Sequence, residues 1–168
     1  MKRNKDIAIS IGITLLALGG LAWLARPSPA HQNFAGVGAG QPDSLQAEEA
    51  AFDFGTVSMA AGNVSHTFVI RNAAADPITI TKLYTSCMCT TGTLEVGGKR
   101  FGPYGMPGHG SIPRISEAIG AGEKADVEVV FDPAAHGPAG IGPIERVIYV
   151  ERENGGPLEL TIRAMVRP

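Results

Sequence analysis

Cys87 and Cys89 are the only two cysteines of the chain, and they sit together in Thr85-Ser-Cys-Met-Cys-Thr90. Such a pair can form a disulfide, cycle as a redox couple, or ligate a soft metal ion. On an extended strand, α-carbons at i and i+2 lie ~6.6 Å apart, near the upper limit for a bridge. A kink at Met88 would close one, but so short a loop restricts the unfolded chain little, and the bond would be strained and readily reduced. Metal ligation fits better. Two thiolates bound at ~2.3 Å to a tetrahedral ion are about 3.8 Å apart, within reach of a bent Cys-x-Cys. A closed site needs further ligands. The candidates are His109 in Gly105-Met-Pro-Gly-His-Gly110 and His136 in Asp132-Pro-Ala-Ala-His-Gly-Pro138. Both lie in Gly/Pro-rich stretches where packing gives no use for an imidazole. Met88 and Met106 offer thioether sulfur, which favours Cu(I). The expected metal set is therefore Cys87, Cys89, His109 and His136, holding one copper or zinc ion. Two alternatives stay open: a redox-active or structural Cys87–Cys89 pair, and packed thiols with both histidines in solvent.

Other chemistry finds less support. His66 shares a strand face with Val64, Phe68 and Ile70, which suits a partly buried, satisfied histidine. Asp132-Pro133 ends a strand. Gly108-His-Gly-Ser111 places a serine near a histidine without general-base geometry. The chain has no Gly-x-Ser-x-Gly elbow, no phosphate-cradling glycine loop and no His-Glu-x-x-His. The expectation is a protein that is not an enzyme.

The elements that position these residues follow from the rest of the chain. It has 168 residues, 14 basic and 16 acidic side chains and a net charge of −2. That balance lacks the basic footprint of a nucleic-acid binder, and neither nucleic acid nor nucleotide is expected as a partner. Lys2, Arg3 and Lys5 precede an uncharged apolar run, Ile7 to Ala25, that would span ~28 Å as a helix, close to the thickness of a bilayer core. Residues 1–25 read as a membrane anchor, with a cleaved signal peptide as the alternative. The basic flank stays inside, so the remainder lies outside the cytoplasm. Residues 26–46, rich in Pro, Gly, Ala and Ser, read as a flexible linker.

Residues 47–168 carry period-two patterns over about seven short strands: 50–54, 64–71, 78–81, 93–96, 126–132, 146–150 and 158–166. Turn residues separate them, and no amphipathic helix appears. The pattern predicts an all-β, immunoglobulin-like β-sandwich. Residues 97–123 show little strand signal and read as a long loop insertion. If consecutive strands alternate in direction, the cysteine segment and the His136 segment emerge at the same pole. The insertion starts at the opposite pole, yet is long enough to carry His109 across.

Phe52-Asp-Phe-Gly-Thr-Val57, Thr67-Phe-Val-Ile-Arg-Asn72, Thr85-Ser-Cys-Met-Cys-Thr90 and Val129-Val-Phe-Asp-Pro133 together resemble the bacterial domain-of-unknown-function 1573 family. That resemblance implies an exported or lipid-anchored protein with an immunoglobulin-like domain of the major-sperm-protein and Hydin type. It implies no activity. The family commonly has Gly between the cysteines where this chain has Met88, which disfavours the tightest bend. The combined expectation is a membrane-tethered extracytoplasmic metal-binding domain. An envelope interaction module that captures a partner by strand addition is the alternative. A thiol–disulfide protein is a third, although no lysine or arginine adjoins the pair in sequence to lower a thiol pKa.

Overall fold

Alternation writes the strands. In Lys124–Phe131, Ala125, Val127, Val129 and Phe131 are buried while Lys124 and Asp126 are exposed, as in a strand with one face on a core. Leu158–Arg167 repeats the pattern with Leu160, Ile162, Ala164 and Val166 inward. The computed structural model describes residues 44–168, which fold as an all-β unit. The expected anchor, residues 1–25, lies outside the described residues, as does all of the linker before residue 44.

The strands form two five-stranded sheets. The first runs in the order β1 (Leu45–Ala47), β3 (Val64–Asn72), β8 (Lys124–Phe131), β5 (Thr90–Val96), β6 (Lys99–Tyr104). The second is ordered β2 (Ala51–Ser58), β10 (Leu158–Arg167), β9 (Gly142–Arg152), β4 (Ile78–Thr85), β7 (Glu117–Ile119). Neighbours are antiparallel, except that β2 runs parallel to β10. Where β2 shifts register against β10, Gly55 adopts φ 67° and donates its N–H to the Asp53 carboxylate at 2.7 Å. This is a bulge at a position that favours glycine, and it accounts for the Phe-x-Phe-Gly signature.

One apolar core joins the sheets. Phe68, Ile70, Leu94 and Val127 of the first pack with Ile80, Leu83, Ile148, Leu160 and Ile162 of the second, all with no exposed surface. Burying each such side chain contributes about 1.5–3 kcal/mol. The layers approach closely at Gly92, where a Cβ would lie 3.3 Å from Leu83 Cδ2.

All seven expected strands are present, with β1, β6 and β7 in addition. β1 starts at Leu45, inside the stretch read as linker; three residues are too few to display alternation. The expected insertion at 97–123 is a correction of a different kind, because it contains β6 and β7 and leaves a loop only over residues 105–116. Gly97 (φ 56°) and Gly98 (φ 78°) form a two-residue hairpin turn that pairs Val96 with Lys99. β6 escaped the alternation test because it is a largely exposed edge strand containing a proline. Ile115, 2% exposed, closes the loop by donating its N–H to the Thr81 carbonyl at 2.8 Å.

Asn72 ends β3 as a fully buried polar residue. Its Nδ2 donates to the carbonyls of Asp76 (2.8 Å) and Ile119 (2.9 Å), and its Oδ1 accepts the Ala74 N–H at 2.8 Å. The bond to Ile119 crosses between the sheets. Asn72→Ala would leave these groups without their partners, so stability should fall by about 2–3 kcal/mol. Urea unfolding of the variant checks this, and a loss under ~0.5 kcal/mol would contradict it.

Candidate metal centre

β4 and β5 lie in different sheets, so the turn between them, which carries both cysteines, is an inter-sheet crossover. The β8–β9 connection, which carries His136, is another. Because β4 neighbours β9 and β5 neighbours β8, the two crossovers stack at one pole.

Hydrogen bonds fix the cysteine turn. The Thr85 hydroxyl lies 2.9 Å from the carbonyl oxygens of both Cys87 and Thr90, and the Thr90 N–H donates to the Cys87 carbonyl at 3.2 Å. Ser86 donates its N–H to the Val147 carbonyl at 2.9 Å and accepts the Val147 N–H on Oγ at 2.9 Å, clamping the turn to β9. On the other side the Asp132 N–H donates to the Cys89 carbonyl at 2.8 Å, just past the end of β8. The Asp132 carboxylate then accepts the Ala134 N–H at 2.8 Å and starts the bend that leads to His136. Gly140 permits the close return of that connection, since a Cβ there would lie 3.1 Å from His136 Cβ.

These constraints bring three ligands together. The ligand atoms of Cys87, Cys89 and His136 all lie within 4.8 Å of one another. His136 Nε2 is 3.1 Å from Cys87 Sγ, and the Cys89 N–H points at the same sulfur at 3.4 Å. Both thiols are free, with Cys87 8% and Cys89 3% exposed, whereas the His136 side is open to solvent. His109 is not one of the group. It lies exposed in the 105–116 loop, its backbone N–H bonded to the Met106 carbonyl at 3.2 Å. Met88 is 49% exposed. His66 sits as its strand face suggested, stacked on Phe52 at 3.6 Å with Nε2 2.6 Å from the Glu49 carboxylate.

Arg146, on β9, had no signal in the sequence. Its Nε donates to Cys89 Sγ at 3.3 Å and its Nη1 to the Glu145 carbonyl at 2.8 Å. The residue is 57 positions from Cys89, and only the β4–β9 pairing makes it a neighbour. The two thiols are driven apart electrostatically. Burial opposes ionisation of Cys87, but hydrogen bonds from the Cys89 thiol, the His136 ring and the Cys89 N–H, with the Arg146 charge, outweigh it and hold this thiol down at about 7. Burial and the neighbouring Cys87 thiolate push Cys89 up, against the pull of Arg146. A thiol pKa held below its unfolded value means the thiolate is present in the folded protein from about pH 7 upward and is lost below it. In metal-free protein, ultraviolet thiolate absorbance should therefore rise in two steps, the first near pH 7, and His136→Ala should move that step upward. A single transition of both thiols near 9.0, the ordinary value, would contradict this.

Comparison with known proteins gives a family similarity for part of the chain and a fold for most of it. No curated protein matches. A structure of a protein of unknown function from Porphyromonas gingivalis W83 aligns with a TM-score of 0.54 and 16% identity, over 79% of this chain and 51% of that one. The chain thus spans about half the length of that protein, and the likeness is one of fold alone. PapD-like domain 7 of human CEP192 aligns with a TM-score of 0.42 and 14% identity, over 84% and 96% of the two chains. The family model described as "Protein of unknown function (DUF1573)" matches residues 45–97, from β1 through β5. The similar Val129–Pro133 segment, His136 and Arg146 all fall beyond it. The resemblance in Phe52–Val57, Thr67–Asn72 and Thr85–Thr90 therefore falls within the match, and residues 45–97, with both cysteines, are similar to the domain-of-unknown-function 1573 family.

Proposed function

We propose that this chain is a non-catalytic, immunoglobulin-like domain, held outside the cytoplasm by residues 7–25, that binds one soft metal ion through Cys87, Cys89 and His136. The observation that carries the reading is the convergence of two thiols and an imidazole to within 4.8 Å, from two separate crossovers. Thiolate and imidazole suit Cu(I) and Zn(II), and poorly suit hard cations such as Mg(II) or Ca(II). With three protein ligands and one solvent-facing side, the site suits loading and release better than permanent structural duty, in which zinc takes four protein ligands. His109 has no part in this ligand set.

Full chain prepared without oxygen should carry about one equivalent of copper or zinc. Cys87→Ser/Cys89→Ser should lose it while staying folded, His136→Ala should weaken retention tenfold or more, and His109→Ala should change nothing. Metal content by elemental analysis, with circular dichroism as the folding control, checks all four. Absence of metal in the parent protein after exposure to both ions would sink the reading. A thiol–disulfide role is the second reading, favoured by the lowered Cys87 pKa of about 7. It requires the metal-free pair to cycle reversibly between dithiol and disulfide.

A further inference from the structure

The metal-binding reading leaves Cu(I) and Zn(II) level; Arg146 separates them. The guanidinium is held by two bonds, Nε to Cys89 Sγ at 3.3 Å and Nη1 to the Glu145 carbonyl at 2.8 Å. The Glu145 carboxylate, the acidic group beside it in sequence, is bonded to Arg163 Nε at 2.7 Å. The strand that carries Arg146 is also the strand that clamps the cysteine turn, one residue further on, through Ser86 and Val147. The cation is thus built into the site by the same bonds that position the sulfurs.

We infer that Arg146 makes this a site for a monovalent soft cation, Cu(I), by supplying a fixed positive charge against the ligand sulfurs; the inference rests on the metal-binding reading above. Two thiolates and a neutral imidazole carry a charge of minus two, and Arg146 brings the cluster to minus one. Cu(I) then neutralises it. A divalent ion leaves a net positive charge beside Cys87 and Cys89, which are 8% and 3% exposed. Coordination points the same way, because two sulfurs and one nitrogen complete a trigonal shell for Cu(I) but leave zinc short of its usual four ligands. Arg146 acts here as a positioning and charge-setting residue and is not a ligand, in the manner of outer-shell groups that tune metal sites.

The test compares the full chain with Arg146→Lys and Arg146→Gln, without oxygen, in competition against a chromophoric Cu(I) chelator and separately against a chromophoric Zn(II) chelator. The parent should favour Cu(I). Lysine keeps the charge and should keep the Cu(I)-to-Zn(II) affinity ratio. Glutamine keeps a donor but loses the charge, and should lower the ratio about ten- to hundredfold, mainly by tightening zinc. Arg146→Met replaces the glutamine variant if thermal unfolding shows that variant to be misfolded. A ratio unchanged within about threefold in the charge-less variant overturns the inference, as does an equal change in the lysine and glutamine variants; either leaves the metal site standing. Failure of the parent to bind either ion removes the metal reading itself, and this inference with it.

Discussion

The candidate site depends on how the Thr85–Thr90 turn is tied to both sheets at once. Ser86 exchanges two hydrogen bonds with Val147 of β9, and the Cys89 carbonyl accepts the Asp132 N–H just past β8. The turn leaves one sheet and enters the other, so without these ties its polar backbone would lie at the open end of the core with no strand partner. The ties also set the chemistry. Holding Val147 places Arg146 against Cys89, and holding Asp132 places His136 four residues along, against Cys87. The sheet order, with β4 beside β9 and β5 beside β8, makes both contacts consequences of topology.

Two thiols buried side by side are costly to ionise, since each charge lacks water and repels the other. The surroundings of Cys87 answer with donors, and those of Cys89 with a cation. The outcome is asymmetric: the Cys87 thiol is held down at about 7 and the Cys89 thiol is pushed up. A soft cation is the natural replacement for a thiol proton, because ligation needs both sulfurs deprotonated. The polarisation of the two thiols and the proposed metal binding would therefore be two results of one charge distribution.

Much of this could be read in the chain. Strands with one buried face announce themselves by alternation, as β8 and β10 do. Alternating strand direction brought His136 to the cysteine pole, as observed. What was illegible has physical reasons. β6 and β7 lie at sheet edges; exposure and its glycine and proline erase the apolar period in β6, and β7 is only three residues long. Placing His109 among the ligands relied on a long unstructured reach. β6 does return the chain to the cysteine pole, where the Gly105 carbonyl accepts the Thr85 N–H at 3.1 Å, but His109 lies exposed in the loop beyond it and is not one of the ligand group. Arg146 could not be found by adjacency, because its proximity to Cys89 exists only through strand pairing.

The site divides into a buried half and a solvent-facing half. Its sulfur half belongs to a turn hydrogen-bonded on both sides and lies within the family match at residues 45–97. Its nitrogen half hangs from a solvent-facing connection of short turns, with Gly137 at φ 54° and Gly140 packed against the His136 Cβ. Whatever enters or leaves the pair of sulfurs meets the imidazole first, since that is the ligand open to solvent. A metal bound as proposed would be anchored by the buried thiolates, with the imidazole as its solvent-facing ligand. The family match ends before His136 and Arg146, so the groups that complete and charge the site come from a different part of the chain than the cysteines. Residues 45–97 by themselves carry both cysteines but neither His136 nor Arg146, so the chemistry proposed for the site does not follow from the matched segment alone.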